Sequence, residues 1–223
     1  MTRRRQVVQW LAAGTAGAFI VPLLSACGKK PPSFDNLDIS DSGSFDTAFS
    51  VPDTHGTART LADFRGKVVV LFFGYTQCPD VCPTSMAELA EARKQLGSDG
   101  QRLQVIFLTV DPVRDTPAIL DQYVAAFDPS FIALRPATDA DVAVVTKQFH
   151  IYAAKSVVPG AGANAGASSV GTGAGDAGAP PSYTIDHTAA SFVFDPSGKL
   201  RLYARDGQGV ARWVHDVRIL LQA

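Results

Sequence analysis

Three features of this 223-residue chain predict an α/β domain built on a central mixed sheet. Two uninterrupted apolar, β-branched runs, 67–74 and 103–110, read as strands buried on both faces. Each is followed by a segment whose apolar residues recur at helical spacing. A hairpin signal and one more amphipathic segment close the chain.

In order along the chain, Phe49–Asp53 reads as a short first strand and Leu61–Gly66 as a turn before the run at 67–74. A helix is expected from Thr84 to about Leu96, with Met86, Leu89 and Leu96 toward the core and Gly97 as its stop. After the second run, Asp115-Thr116-Pro117 supplies a capping side chain and a proline near the first helical position, where its missing N–H does no harm. Ile119, Leu120, Tyr123, Val124 and Phe127 give that helix one apolar face. A third helix is expected over Asp139–Phe149, carrying Val142, Val145 and Phe149. Thr184–Phe194, a turn at Asp195–Gly198 and Leu200–Ala204 read as a hairpin, and Val210–Leu221 as the closing helix. This is the order of a thioredoxin-like domain, expected over 48–223 with helices flanking the sheet.

Between Pro159 and Ser182 the composition collapses to Gly, Ala, Ser and Pro, and seven of the 19 glycines fall there without any apolar period. Such a stretch cannot bury enough surface to offset its ordering entropy, so 159–182 is expected to be a flexible loop within the domain.

The N-terminus has a different character. Arg3, Arg4 and Arg5 precede an uncharged run to Gly28 whose apolar heart is Trp10–Leu24, the pattern of a secretory signal. Gly14, Thr15, Gly17 and Pro22 make it a poor permanent span, which needs about 20 predominantly apolar residues. Leu24-Ser25-Ala26-Cys27 resembles a bacterial lipobox, which implies cleavage before Cys27 and lipidation of its thiol. The expectation is therefore a signal peptide at 1–26, a tether at 27–47, and an exported domain lipid-anchored at the periplasmic face of a bacterial membrane, taken as the inner one. An uncleaved anchor would leave the domain on the same side. Without residues 1–26 the chain carries 17 Lys+Arg against 21 Asp+Glu, a net charge of −4, and no basic face to suit nucleic acid.

The chain has three cysteines, an odd number that asks for an explanation in an exported protein. Lipidating Cys27 resolves it and leaves Cys78 and Cys82, a pair that is redox-active, metal-binding or both. A purely stabilising bridge is the weaker reading, because so short a loop restricts the unfolded chain little. Both cysteines lie where a strand meets a helix start, whose partial positive charge favours thiolate over thiol. Ordinary thioredoxin-like oxidoreductases use C-x-x-C; C-x-x-x-C lets the second sulfur sit differently. Two soft sulfurs suit Cu(I), and an added imidazole makes Cu(II) tolerable as well.

Cys78-Pro-Asp-Val-Cys-Pro83, Asp111-Pro-Val-Arg-Asp-Thr-Pro117 and Tyr183-Thr-Ile-Asp-His-Thr188 occur in that order. Together, over roughly 47–223, they resemble the Sco/SenC family of copper-binding proteins, which assist assembly of the binuclear copper centre of cytochrome c oxidase. The resemblance implies that Cys78, Cys82 and His187 ligate one copper per chain, as Cu(I) or Cu(II). It also implies a metallochaperone role, with cytochrome c oxidase subunit II as acceptor and a copper-donor chaperone upstream. Without the family, a lone strand histidine such as His187 is more often structural. His55, His150 and His215 lack matching motifs and read as surface or structural. Asp111 and Asp115 could tune the site from behind its ligands, although turn formation and helix capping explain them more cheaply. Asp186 should face away from His187 on a regular strand.

The rival reading is a thiol–disulfide reductase acting on the acceptor's cysteines, with Cys78 and Cys82 as attacking and resolving thiols. Such enzymes usually place a cis-proline where this chain has Asp186-His187-Thr188, which favours metal. A peroxiredoxin-like peroxidase, a third option, would not need His187.

Overall fold

The computed structural model describes residues 33–43, 45–157, 183–188 and 190–222. The expected signal peptide, Cys27 and the loop at 159–182 lie outside these residues. No helix among the described residues is long and apolar enough to cross a membrane.

The strands are β1 (Leu37–Asp38), β2 (Val51–Pro52), β3 (Ala58–Arg59), β4 (Val68–Gly74), β5 (Leu103–Thr109), β6 (Ile132–Leu134), β7 (Ala153–Val157), β8 (Tyr183–His187), β9 (Ala190–Phe194) and β10 (Leu200–Arg205). The helices are α1 (Val81–Gln95), α2 (Pro117–Phe127), α3 (Asp139–Gln148) and α4 (Val210–Gln222). Six strands form the central sheet in the order β1-β10-β9-β4-β5-β6, while β2–β3 and β7–β8 form two small ribbons. β4 runs parallel to β5 and antiparallel to β9, so the sheet is mixed, as the sequence predicts.

Every residue of β4 and β5 is buried. Alternation of side chains along a strand sends them to two different cores. On one face Phe72 stacks on Phe107 at 5.8 Å, and Phe107 meets Tyr123 of α2 at 5.2 Å. On the other, Phe73 meets Phe149 at 5.4 Å and Phe149 meets Phe192 at 5.0 Å, closing the layer beneath α3. A continuous apolar run is thus the correct sign of a strand sandwiched between layers.

Several local readings need correction. The segment 27–47 is not wholly a tether, because Leu37 and Asp38 pair with Tyr203 and Leu202 at the sheet edge. The buried Asp216 carboxylate on α4 fastens this segment, accepting from the backbone N–H groups of Asp35 and Asn36 and from the Asn36 side chain at 2.8–3.0 Å. Nothing in its polar composition signals such a remote partner. Helix α1 starts at Val81 and not at Thr84, so Cys82 lies in its first turn. Pro83 does not delay that start, because first-turn N–H groups have no intrahelical partner to lose.

The predicted hairpin is really two structures. Only Ala190–Phe194 pairs with β10, whereas Tyr183–His187 leaves the central sheet and pairs with β7. β7 escaped notice because Ala153-Ala-Lys-Ser156 has no apolar alternation. Of the two capping candidates, Asp115 and Thr116, Thr116 caps α2 by accepting from the Ile119 N–H. Ile119, expected on the apolar face, is 43% exposed.

Candidate metal centre

The two cysteines emerge where β4 hands the chain to α1. Tyr75 accepts through its carbonyl from the Cys78 N–H at 3.2 Å, turning the loop back before the helix begins. Cys82 is fully buried, while Cys78 lies nearer the surface at 9% exposure. Both are free thiols. Gly74 ends β4 directly beneath them. A Cβ on Gly74 would stand 2.9 Å from the Cys82 sulfur and 2.7 Å from the Phe72 ring, so only glycine lets the sulfur settle there.

The thiols differ sharply in acidity. The pKa of Cys78 is lowered to about 5, first because the Cys82 thiol donates to its sulfur and then because the backbone N–H groups of Asp80 and Cys82 point at it, burial working the other way. The same shared proton, with burial, pushes Cys82 up. Unpaired N–H groups at a helix start favour the thiolate, and the coupling of the two sulfurs drives their acidities apart.

His187, the last residue of β8, faces this pair. Its Nε2 lies 3.8 Å from the Cys82 sulfur, and its Nδ1 lies 3.2 Å from the Thr188 carbonyl oxygen. A carbonyl only accepts, so in the neutral ring Nδ1 carries the proton and Nε2 turns its lone pair toward the thiols. Tyr75 meets the imidazole edge to face at 5.8 Å. The ligand atoms of Cys78, Cys82 and His187 all lie within 4.8 Å of one another. Cys78 and His187, but not the buried Cys82, open to solvent through a cavity of about 340 Å³ also lined by Val81, Tyr152, Ile185, Asp186 and Thr188. Two thiols and one imidazole suit a soft or borderline metal ion and leave room for an incoming ligand.

Asp111 and Asp115, both fully buried, tie the halves of this site to the end of β5. Asp115 accepts from the Thr76 N–H at 3.1 Å and from the Thr76 and Thr109 hydroxyls at 2.5 Å each. Burial raises its pKa, with the Thr109 and Thr76 bonds opposing. Asp111 accepts from the Tyr183 hydroxyl at 2.6 Å and pairs with Arg114, whose guanidinium covers the Tyr183 ring at 3.7 Å. Asp115 therefore steadies the cysteine loop and Asp111 the histidine strand, contacts that turn formation and capping do not explain. Asp186 turns away to accept from the Ser156 hydroxyl at 2.5 Å, as strand alternation predicts.

Sequence reasoning passed over Gly74, Thr76, Arg114, Tyr183 and Asp206. Asp206, in the turn after β10, is pushed up to about 7 mainly by burial, with Ser85 opposing and Glu88 and Cys78 adding to it. Arg114 and Tyr183 stand inside the two later motifs, which was the only available signal for them.

Among the described residues one other group could hold a metal ion, Asp35, His215 and Asp216. There the Asp216 oxygens already serve Asp35, Asn36 and His215, whose Nδ1 lies 2.8 Å away, so the group acts as a clip. His150 takes a positive φ of 53° and packs edge to face on Phe45, apart from the thiols.

A thioredoxin-like sheet with two thiols at its strand–helix junction and an imidazole closing over them defines a thioredoxin-fold protein with a soft-donor ligand set. The chain belongs to the SCO1/SenC family, whose sequence model matches residues 38–222. It is 30% identical over 172 residues to the Bos taurus "Protein SCO2 homolog, mitochondrial", covering 76% of this chain and 57% of that protein. The corresponding mouse protein is likewise 30% identical, and the match covers 60% of it, so the chain spans less than two thirds of these relatives. Among solved structures it is similar to Bradyrhizobium japonicum ScoI with copper bound, at 34% identity and a TM-score of 0.58, over 77% of this chain and 96% of that one. It is also similar to apo Sco1 from Thermus thermophilus, at 32% identity and a TM-score of 0.65, over 84% and 97% of the two chains. BsSco, described as a member of the Sco family of cytochrome c oxidase assembly proteins, shares the fold at 19% identity and a TM-score of 0.55, over 85% and 98% of the two chains.

Proposed function

We propose that this chain is a copper metallochaperone that holds one Cu(I) or Cu(II) between Cys78, Cys82 and His187. The convergence of these three ligand atoms within 4.8 Å carries the reading. Family membership and the copper-bound relative at 34% identity support it. Two sulfurs satisfy Cu(I), and the imidazole extends the set to Cu(II). The opening beside Cys78 lets an acceptor ligand join before the original ones leave, so copper passes by ligand exchange. The acceptor is cytochrome c oxidase subunit II, whose binuclear copper centre the protein helps to assemble, and a donor chaperone supplies the metal. Membership of the same Sco family as BsSco, a family of cytochrome c oxidase assembly proteins, supports the oxidase connection.

The domain works outside the cytoplasm, at the periplasmic face of a bacterial membrane. Residues 1–26 direct export, and lipid on Cys27 holds the domain at the membrane. Deleting most of 160–178 is expected to leave copper stoichiometry unchanged.

The test is to load the reduced chain with copper and measure stoichiometry and absorption, with His187→Ala alongside. About one copper per chain, and a sulfur-to-Cu(II) charge-transfer band weakened in His187→Ala, is expected. No retained copper in the wild type would overturn the reading.

The unequal thiols favour a second activity at the same site, reduction of the acceptor's disulfide. Cys78, with its pKa lowered to about 5 by the Cys82 thiol, is the attacking sulfur and the buried Cys82 the resolving one. Attack by the Cys78 thiolate releases one acceptor thiolate. Cys82 then displaces the second, leaving a Cys78–Cys82 disulfide and a reduced acceptor. Rapid reduction of a disulfide substrate, lost in Cys78→Ser, checks it.

A further inference from the structure

The strand that carries His187 does not belong to the central sheet. Among the described residues β8 pairs only with β7, and the two form a separate ribbon. Its attachments to the cysteine half are few and specific. At the start of β8 the Tyr183 hydroxyl donates to Asp111 at 2.6 Å, and Arg114 donates to the Tyr183 carbonyl at 2.6 Å while covering its ring at 3.7 Å. In the middle the Ile185 N–H reaches the Tyr75 hydroxyl at a long 3.4 Å. On the outer side Lys155 of β7 pairs with Asp139 of α3 at 2.6 Å, with both groups substantially exposed. Exposed pairs of that kind contribute little, so beside the buried Ile185 side chain, Tyr183 supplies the principal polar fastening of the ribbon.

Resting on the copper reading above, we infer that Tyr183 is a positioning residue that determines whether His187 reaches the metal, and hence whether the site accepts Cu(II) as well as Cu(I). The two thiols are placed by β4, α1 and Asp115, and the bonds of Asp115 to Thr76 and Thr109 involve no ribbon residue. Cu(I) is satisfied by two sulfurs, whereas Cu(II) gains from the harder nitrogen. Tyr183 stands four residues from His187, roughly 13 Å along the strand, and touches none of the three ligands. Releasing its hydroxyl frees the root of the ribbon and leaves the sulfur pair as it was. The phenol suits this task, because burial and the neighbouring Asp111 push its pKa up and keep the donating proton in place.

The experiment compares wild type, Tyr183→Phe and His187→Ala as full chains. Tyr183→Phe keeps the ring beneath Arg114 and removes only the donor. Cu(II) affinity is expected to fall about tenfold, the size of one lost buried hydrogen bond to a charged acceptor. The charge-transfer band and the nitrogen hyperfine splitting in electron paramagnetic resonance should shift toward those of His187→Ala, while Cu(I) stoichiometry and affinity stay within about twofold. Without any metal, amide exchange at 184–188 should speed up while exchange in β4 and β5 stays unchanged.

Equal losses for Cu(I) and Cu(II), or accelerated exchange throughout the sheet, would mark Tyr183 as a general stabilising residue and overturn the assignment. So would an unchanged Cu(II) spectrum with unchanged exchange. A wild-type chain that takes up neither ion would overturn the copper reading itself, together with the role assigned here. That result is recognisable because it needs no variant.

Discussion

The two halves of the candidate centre are built by different means. The cysteine half grows out of the most deeply buried part of the molecule. β4 is covered on both faces, Gly74 lets the Cys82 sulfur pack against its end, and Asp115 locks Thr76 with two hydrogen bonds to one residue. The histidine half sits on a two-stranded ribbon held by side-chain contacts through Asp111, Arg114 and Tyr183. Isolated two-stranded ribbons are marginal in water, so this half takes its stability from those contacts. A site that must bind a metal and then release it gains from such a division. Two ligands stay fixed while the third is placed by an element that can yield separately.

Breaking the cysteine half should have the largest effect. Asp115→Ala leaves the Thr76 N–H and the Thr76 and Thr109 hydroxyls without their acceptor and is expected to cost about 2–4 kcal/mol in urea unfolding. A loss below about 0.5 kcal/mol would mean the loop is held without it, erasing the contrast with the ribbon.

Next comes Gly74→Ala, whose new methyl would stand 2.9 Å from both the Cys82 sulfur and the Phe107 ring. It should destabilise by about 1–3 kcal/mol, as overpacking of a filled core does, and should alter the copper spectrum through the displaced sulfur. An unchanged spectrum would show that the sulfur position is not set from below.

The smallest effect concerns reactivity and sharpens the comparison within the cysteine half itself. An acid with a lowered pKa is ionised at every pH above that value. Cys78 should therefore be alkylated at its full rate at neutral pH and progressively more slowly as pH falls through about 5. Cys82, pushed up by the shared proton and by burial, should stay unlabelled across the same range. In Cys82→Ala the main cause disappears, and the Cys78 midpoint should climb toward the ordinary thiol value of about 8.5. A midpoint that stays near 5 would assign the shift to the helix N–H groups instead.

How much of this was legible in advance depended on the range of the interactions involved. β4, β5, α2 and α3 announced themselves, because burial on two faces writes a continuous apolar run and helical packing writes its own period. Thr138, which caps α3 and exchanges hydrogen bonds with Asp141, belongs with them as a purely local device. The edge strand β1 and the pairing of the β7–β8 ribbon carry no such mark, although β8 itself reads as a strand. Their residues are mostly polar or small, and what fixes them is a distant carboxylate or guanidinium: Asp216 for one, Arg114 for the other.

The same division runs through the site. Sequence by itself determined the class of fold, the paired thiols and their soft character, because spacing and residue chemistry are carried by the chain; His187 entered only through the family resemblance of its motif. Only the tertiary structure decided that the acidities of Cys78 and Cys82 are driven apart, that Gly74 makes room for a sulfur, and that His187 arrives on a ribbon fastened through Tyr183. The reason is physical. Proton sharing, close packing and fastening exist only between atoms brought together in space, here from positions as far apart in the chain as Cys82 and His187, and no local pattern records such a meeting.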